Sequence, residues 1–152
     1  MTDYLITKAL PEHVDELVQN MRAEDRAEVE ATGDDPKSAL LHSIERSTEA
    51  WTAFADGRVI CMFGIAPPTI LSDMAVPWLL TAEEMPKHKR IFLSRSRQVV
   101  EDWRQQYTLM VNYVDARYAK ALRWLEWLGF SMGPDEILGP TGTPFRRVEM
   151  RS

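Results

Sequence analysis

Asn112 to Phe130 reads NYVDARYAKALRWLEWLGF, and the rest of the chain is organised around this stretch. Thr108 to Val114 (TLMVNYV) is rich in β-branched, aromatic and other apolar residues, the composition of a buried strand. Asp115 then offers a short polar side chain where a helix can start. Ala121, Trp124, Leu125 and Leu128 fall at i, i+3, i+4 and i+7 and make one apolar stripe, with Glu126 off it. Gly129 stands where a helix ends on a left-handed residue. Phe130 is placed to pack back on Leu125, as in a Schellman ending. The unit reads as strand, connection, helix and stop.

Working outward, Tyr4 to Leu10 suits a first strand, and Pro11 suits the first turn of a helix. Val14, Leu17, Val18 and Met21 give that helix an apolar stripe. Arg22 to Thr32 is mostly charged and reads as a solvated extension of it, ended by Gly33. Asp35-Pro36 opens a second helix through Ile44. Glu49 to Ala55 and Arg58 to Ala66 are strands joined at Asp56-Gly57, a strong hairpin signal. Ala75 to Thr81 is a further strand. Pro77 inside it requires an edge, a bulge or a splayed position, because proline has no N–H for a ladder. Glu83 to Arg90 reads as a polar loop. Ile91 to Tyr107 contains a helix bearing Val99, Val100 and Trp103, with Ser94 or Ser96 as its cap. After the organising unit, Glu136 to Leu138 and Phe145 to Met150 are short strands around a Gly-Pro-Thr-Gly turn. The order β-α-α-β-β-β-α-β-α-β-β implies an α/β (α+β) domain with a mixed central sheet and helices on both faces.

A chain of 152 residues fits a single domain, residues 1–152, with a full core. Apolar residues at 45% and charged residues at 27% match a globular protein in water. No apolar run approaches a membrane span, and the acidic N-terminus lacks the pattern of a secretory signal. The lone Cys61 excludes an internal disulfide framework and fits a reducing cytoplasm. A net charge of -5 argues against nucleic acid as the main partner. His13, His42 and His88 are far apart and lack metal-ligand spacing, so no metal site is expected.

The element order and the ending ARYAKALRWLEWLGF resemble the GNAT acyltransferase superfamily. A narrower resemblance joins RAEDRAEVEATG, PWLL, FLSRSRQVVEDW, LMVNYVDARYAKALRWLEWLGF and PFRRVEM. Together these are similar to the small internal virion proteins of autographivirus-type short-tailed phages and related prophage proteins. The first resemblance implies a GNAT-like fold and acetyl-CoA or CoA as ligand, with a small amine acceptor if the protein is an enzyme. The second implies a virion or assembly role beside other phage proteins, in the host cytoplasm or the particle, and homo-oligomers are compatible with either.

The resemblance also implies site residues. The family's phosphate loop, written Arg/Gln-x-x-Gly-x-Gly/Ala, falls on Ile91, Ser94 and Ser96, so all three positions depart from it. Serine keeps its N–H, but its Cβ restricts the backbone near a phosphate. Arg90, Ser94, Arg95 and Ser96 are the expected CoA contacts; the same basic segment also reads as a solvated helix face. The family's leaving-group tyrosine falls on Leu125, which cannot move a proton; Tyr118 is the nearest replacement, though it also reads as a surface or packing tyrosine. Glu83 and Glu84, just after the fourth strand, are the candidate bases for the acceptor amine, though either also reads as a surface acid. Three functions follow: a phage GNAT-like protein with degenerate acyl-CoA motifs, an active N-acetyltransferase, or, between them, a protein that keeps CoA as a ligand without catalysis.

Overall fold

The structure is a computed structural model that describes residues 1–69 and 71–152. Its elements are β1 (Tyr4–Lys8), α1 (Pro11–Asn20), α2 (Ala23–Ala31), α3 (Pro36–Arg46), β2 (Glu49–Ala55), β3 (Arg58–Ala66) and β4 (Met74–Thr81). A 3₁₀ turn (Met85–His88) leads into α4 (Lys89–Arg104), followed by β5 (Leu109–Asp115), α5 (Ala119–Leu128), β6 (Ser131–Leu138) and β7 (Thr143–Arg151). The strands form one seven-stranded sheet in the order β1-β2-β3-β4-β5-β7-β6. Among the described residues only the β4–β5 contact is parallel.

Alternation along β3 assigns the two faces. Met62 joins the core beneath α1 to α3, with Val14, Leu17 and Leu40. Ile65 joins the core beneath α4 and α5, with Val100, Trp103, Met110 and Phe130. The mixed sheet covered on both faces is therefore as its sequence indicates.

The feature that creates a site is the parting of β4 from β5. Their pairing stops after Met74↔Leu109 and Ala75↔Met110. Pro77 has no N–H to continue it. Its carbonyl instead accepts from Asn112 Nδ2 across the opening at 2.7 Å.

Four local readings are corrected. Arg22 to Thr32 is not a solvated extension of α1. Met21 and Arg22 are extended, Met21 bridges to Ala82, and the Arg22 N–H donates to the Thr81 carbonyl at 2.9 Å. The helix restarts as α2, with Asp25 and Val29 buried. Glu83 to Arg90 is not a plain loop, because Met85 and His88 are buried and wind it into the 3₁₀ turn. That turn runs directly into α4, so α4 begins at Lys89 with His88 before it, and neither Ser94 nor Ser96 caps it. Asp115 does not start α5 either. It accepts from the Arg117 N–H at 2.9 Å and pairs with the Arg117 guanidinium, delaying the helix to Ala119.

The end of α5 follows its sequence closely. The Phe130 N–H donates to the Leu125 carbonyl and the Gly129 N–H to the Glu126 carbonyl, each at 3.0 Å, and Gly129 has φ 111°. The β6–β7 turn reaches back to α2. Thr141 Oγ1 donates to the Ala31 carbonyl at 3.2 Å. A Cβ on Gly139 would lie 2.6 Å from the same carbonyl oxygen, so only glycine permits this approach. The turn therefore braces the C-terminal end of α2, the helix that carries Asp25 and Glu28.

Candidate functional site

The opening between β4 and β5 is the throat of a cleft of about 730 Å³. Parted strands leave backbone N–H groups without ladder partners, and buried N–H groups need acceptors. Helix α2 supplies them. Asp25 Oδ2 accepts from both the N–H and the Oγ1 of Thr81, at 2.6 Å each, where β4 ends. Glu28 Oε2 accepts from the N–H of Asp115 at 2.9 Å, where β5 ends. Residues 22, 25 and 28 lie three apart, so Arg22, Asp25 and Glu28 all line the cleft from one stripe of the α2 segment.

Their electrostatics follow from burial. Loss of solvent pushes the Glu28 carboxyl up to about 7, and the nearby Asp25 and Asp115 carboxyls add to the rise against the Asp115 N–H bond. Burial also raises Asp25, opposed by its two bonds from Thr81. Tyr118, at the start of α5, lines the throat beside Asp25, and Arg22 stands 5.8 Å from its ring centre. Burial, and then the Asp25 charge, raise the Tyr118 phenol, so it stays protonated.

The other expected acids lie elsewhere. Glu84 is bound by Arg58 through two hydrogen bonds, at 2.9 and 3.0 Å, and by His88 Nε2 at 3.1 Å. The Arg58 bond, chiefly, holds its carboxyl down at about 2. Glu83 is exposed, and neither glutamate lines the cleft. Of the four expected CoA contacts, Arg95 and Ser96 line the cleft, whereas Arg90 and Ser94 are exposed away from it. Ser94 and Ser96 sit inside α4, where helical geometry engages their N–H groups with carbonyls four residues back. Ser96 Oγ donates to the Leu93 carbonyl at 3.1 Å and accepts from Trp124 Nε1 at 3.2 Å.

Positive charge is available in another form. Lys89 and Arg95 from α4 and Lys120 and Arg123 from α5 line the α4–α5 side of the cleft. Among the described residues none of these four forms an ion pair. Of these four, the sequence reading named Arg95 and missed the cations of α5. Spacing alone does not reveal that two separate helices converge on one rim. Among the described residues no group of His, Cys, Asp and Glu side chains could hold a metal ion, and no helix is long and apolar enough to cross a membrane.

No family model and no curated protein matches the chain. Solved structures do. An acetyltransferase of the GNAT family from Streptococcus pneumoniae superposes with a TM-score of 0.65 at 14% identity, over 99% of this chain and 100% of that one. A ribosomal-protein-alanine N-acetyltransferase from Brucella melitensis gives 0.69 at 14% identity, over 97% and 99%. The fold is that of the GNAT acetyltransferases. An N-acetyltransferase from Staphylococcus aureus gives 0.69 at 11% identity, over 98% of each chain. At such identities the likeness reaches the GNAT fold and stops there. The acids of α2 and the cations of α4 and α5 are read from this chain's own residues. The likenesses to acetyltransferases lend no support to the phage-virion resemblance.

Proposed function

We propose that the protein is an N-acyltransferase that moves an acyl group from a CoA thioester to an amine in the β4–β5 cleft. The observation that carries this reading is the pair of carboxylates, buried Asp25 and half-buried Glu28, that α2 places in the strand opening of a GNAT fold, the second with its pKa pushed up to about 7. A base is most effective when its pKa lies near the working pH. Glu28 meets that condition, and Glu84, held near 2, does not.

The thioester supplies an activated acyl carbon. Glu28 takes a proton from the acceptor ammonium or amine, directly or through one water, and the freed nitrogen attacks the thioester carbonyl. A C–N bond forms, the C–S bond breaks, and the sulfur leaves as a thiolate that regains a proton from solvent. Tyr118 is too weak an acid to protonate a thiolate fully, so its part is a hydrogen bond to charge developing in the throat. Asp25 adds negative potential that favours a cationic amine. Lys89, Arg95, Lys120 and Arg123 attract the donor's phosphates through side-chain charge, a role the family gives to backbone N–H groups.

The helical state of Ser94 and Ser96 favours a second reading, a GNAT-fold protein that binds partners without turnover, such as a virion component. One experiment separates the two. The protein is mixed with acetyl-CoA and a panel of amines, and free CoA thiol is followed. Amine-dependent thiol release that Glu28→Gln lowers by about 100-fold supports the enzyme. Absence of both release and saturable acetyl-CoA binding overturns it in favour of the second reading.

A further inference from the structure

The cleft is larger than an acetyl group requires, and its surplus has a direction. From the throat it runs beneath the start of α4 towards β1, along Ile6, Ala53, Cys61, Leu79, Met85 and Phe92. Ala53, Cys61 and Met85 are buried and belong to one apolar cluster with Leu79 and Phe92. Between Ile6 and Leu79 on the sheet floor stand two short side chains, Ala53 and Cys61, where larger ones would fill the space. Burial pushes the Cys61 thiol up to about 12, so it serves as apolar wall and not as a nucleophile. Ile6 is 41% exposed, so the arm opens at the edge of the sheet.

We propose that this arm receives the aliphatic chain of a medium-length acyl donor, so that the protein transfers acyl groups longer than acetyl. The inference rests on the acyltransferase reading above. Charge segregation selects the donor over the acceptor as the source of the chain. The carboxylates enter the throat from α2 on one face of the sheet, and the cations of α4 and α5 stand on the other. Cys61 and Leu79 lie on the α4–α5 face, in register with each other's neighbours: Cys61 pairs with Thr81 and Phe63 with Leu79. A chain in the arm therefore leaves the throat on the phosphate side, the side of the thioester. The step is the one already balanced, with an alkyl chain in place of the acetyl methyl. An open end predicts tolerance of several lengths, not selection of one.

The test is a series of CoA, acetyl-CoA, butanoyl-CoA, hexanoyl-CoA and octanoyl-CoA, with binding by calorimetry and turnover by thiol release. Each methylene that becomes fully buried tightens binding by up to about fourfold. Octanoyl-CoA is expected to bind at least about tenfold more tightly than acetyl-CoA, and Ala53→Phe to remove that preference while acetyl-CoA binding persists. Equal or falling affinity along the series overturns the proposal and leaves the acyltransferase reading intact. A preference that survives both Ala53→Phe and Ile6→Arg also overturns it, because the chain then lies elsewhere, including on the acceptor side. Failure of every thioester to bind overturns both readings.

Discussion

Glu28 and Glu84 show how one residue type is set to opposite ends of its range by what surrounds it. Glu84 meets a guanidinium and an imidazole; Glu28 meets loss of solvent, one N–H and the charge of two other carboxyls. With Glu28 as base, activity requires its ionised form, so kcat/KM rises with pH through about 7 and levels above it. Glu28→Gln abolishes this limb together with most of the rate. Glu84→Gln leaves both in place, since Glu84 lies outside the cleft. A pH–rate profile of the three proteins checks the assignment; a limb that persists in Glu28→Gln removes Glu28 from the role. Tyr118→Phe keeps the ring under Arg22 and removes only the hydroxyl, so turnover is expected to drop by about tenfold with KM for the donor nearly unchanged. A loss confined to KM would make Tyr118 a binding residue.

At the scale of elements, legibility depended on whether a residue's partner lies nearby in sequence. The α5 unit was readable because its stripe, its glycine stop and the Phe130–Leu125 bond are all local. Gly129→Ala places a side chain at φ 111° and is expected to destabilise the fold by about 1 kcal/mol in a urea titration, with no change in donor affinity. The splay at Pro77 was one of three readings left open, and the missing N–H is what selects it. Helix α2 was misread because a run of charges normally faces water. Its acids turn inward for a non-local reason: β4 and β5 part and leave the Thr81 and Asp115 N–H groups needing acceptors. The same non-locality hid the rim. Lys120→Ala with Arg123→Ala is expected to weaken CoA binding by about tenfold at low salt, and by less at high salt, where screening already weakens the phosphate attraction. An unchanged affinity by calorimetry would place the phosphates away from α5.

For the whole molecule, holding a carboxyl near 7 has a thermodynamic consequence that needs no substrate to observe. Glu28 rises from 4.5 to about 7 on folding. Between those values the folded chain keeps the Glu28 proton while the unfolded chain releases it. The folded state thus binds more protons, and the free energy of unfolding falls as pH rises through this window. The raised Asp25 acts in the same direction. Glu84 and Asp115, held low by Arg58 and Arg117, act oppositely: their contribution is present above the ordinary carboxylate range and is lost only at strongly acidic pH. Stability is therefore expected to peak in mildly acidic solution and to be lower at pH 8, with Glu28 alone contributing up to roughly 3 kcal/mol of the difference. Glu28→Gln retains an oxygen to accept the Asp115 N–H and carries no charge at any pH, so it is expected to be more stable than the natural chain at pH 8 and close to it at pH 5. Urea midpoints of the two proteins at both pH values measure this, and their difference isolates Glu28 from every other titrating group. A variant that is less stable at pH 8 would mean that the Glu28 charge is compensated in the fold and its carboxyl titrates in the ordinary range. A variant more stable yet inactive would show one buried charge lowering the stability of the sheet while enabling its chemistry.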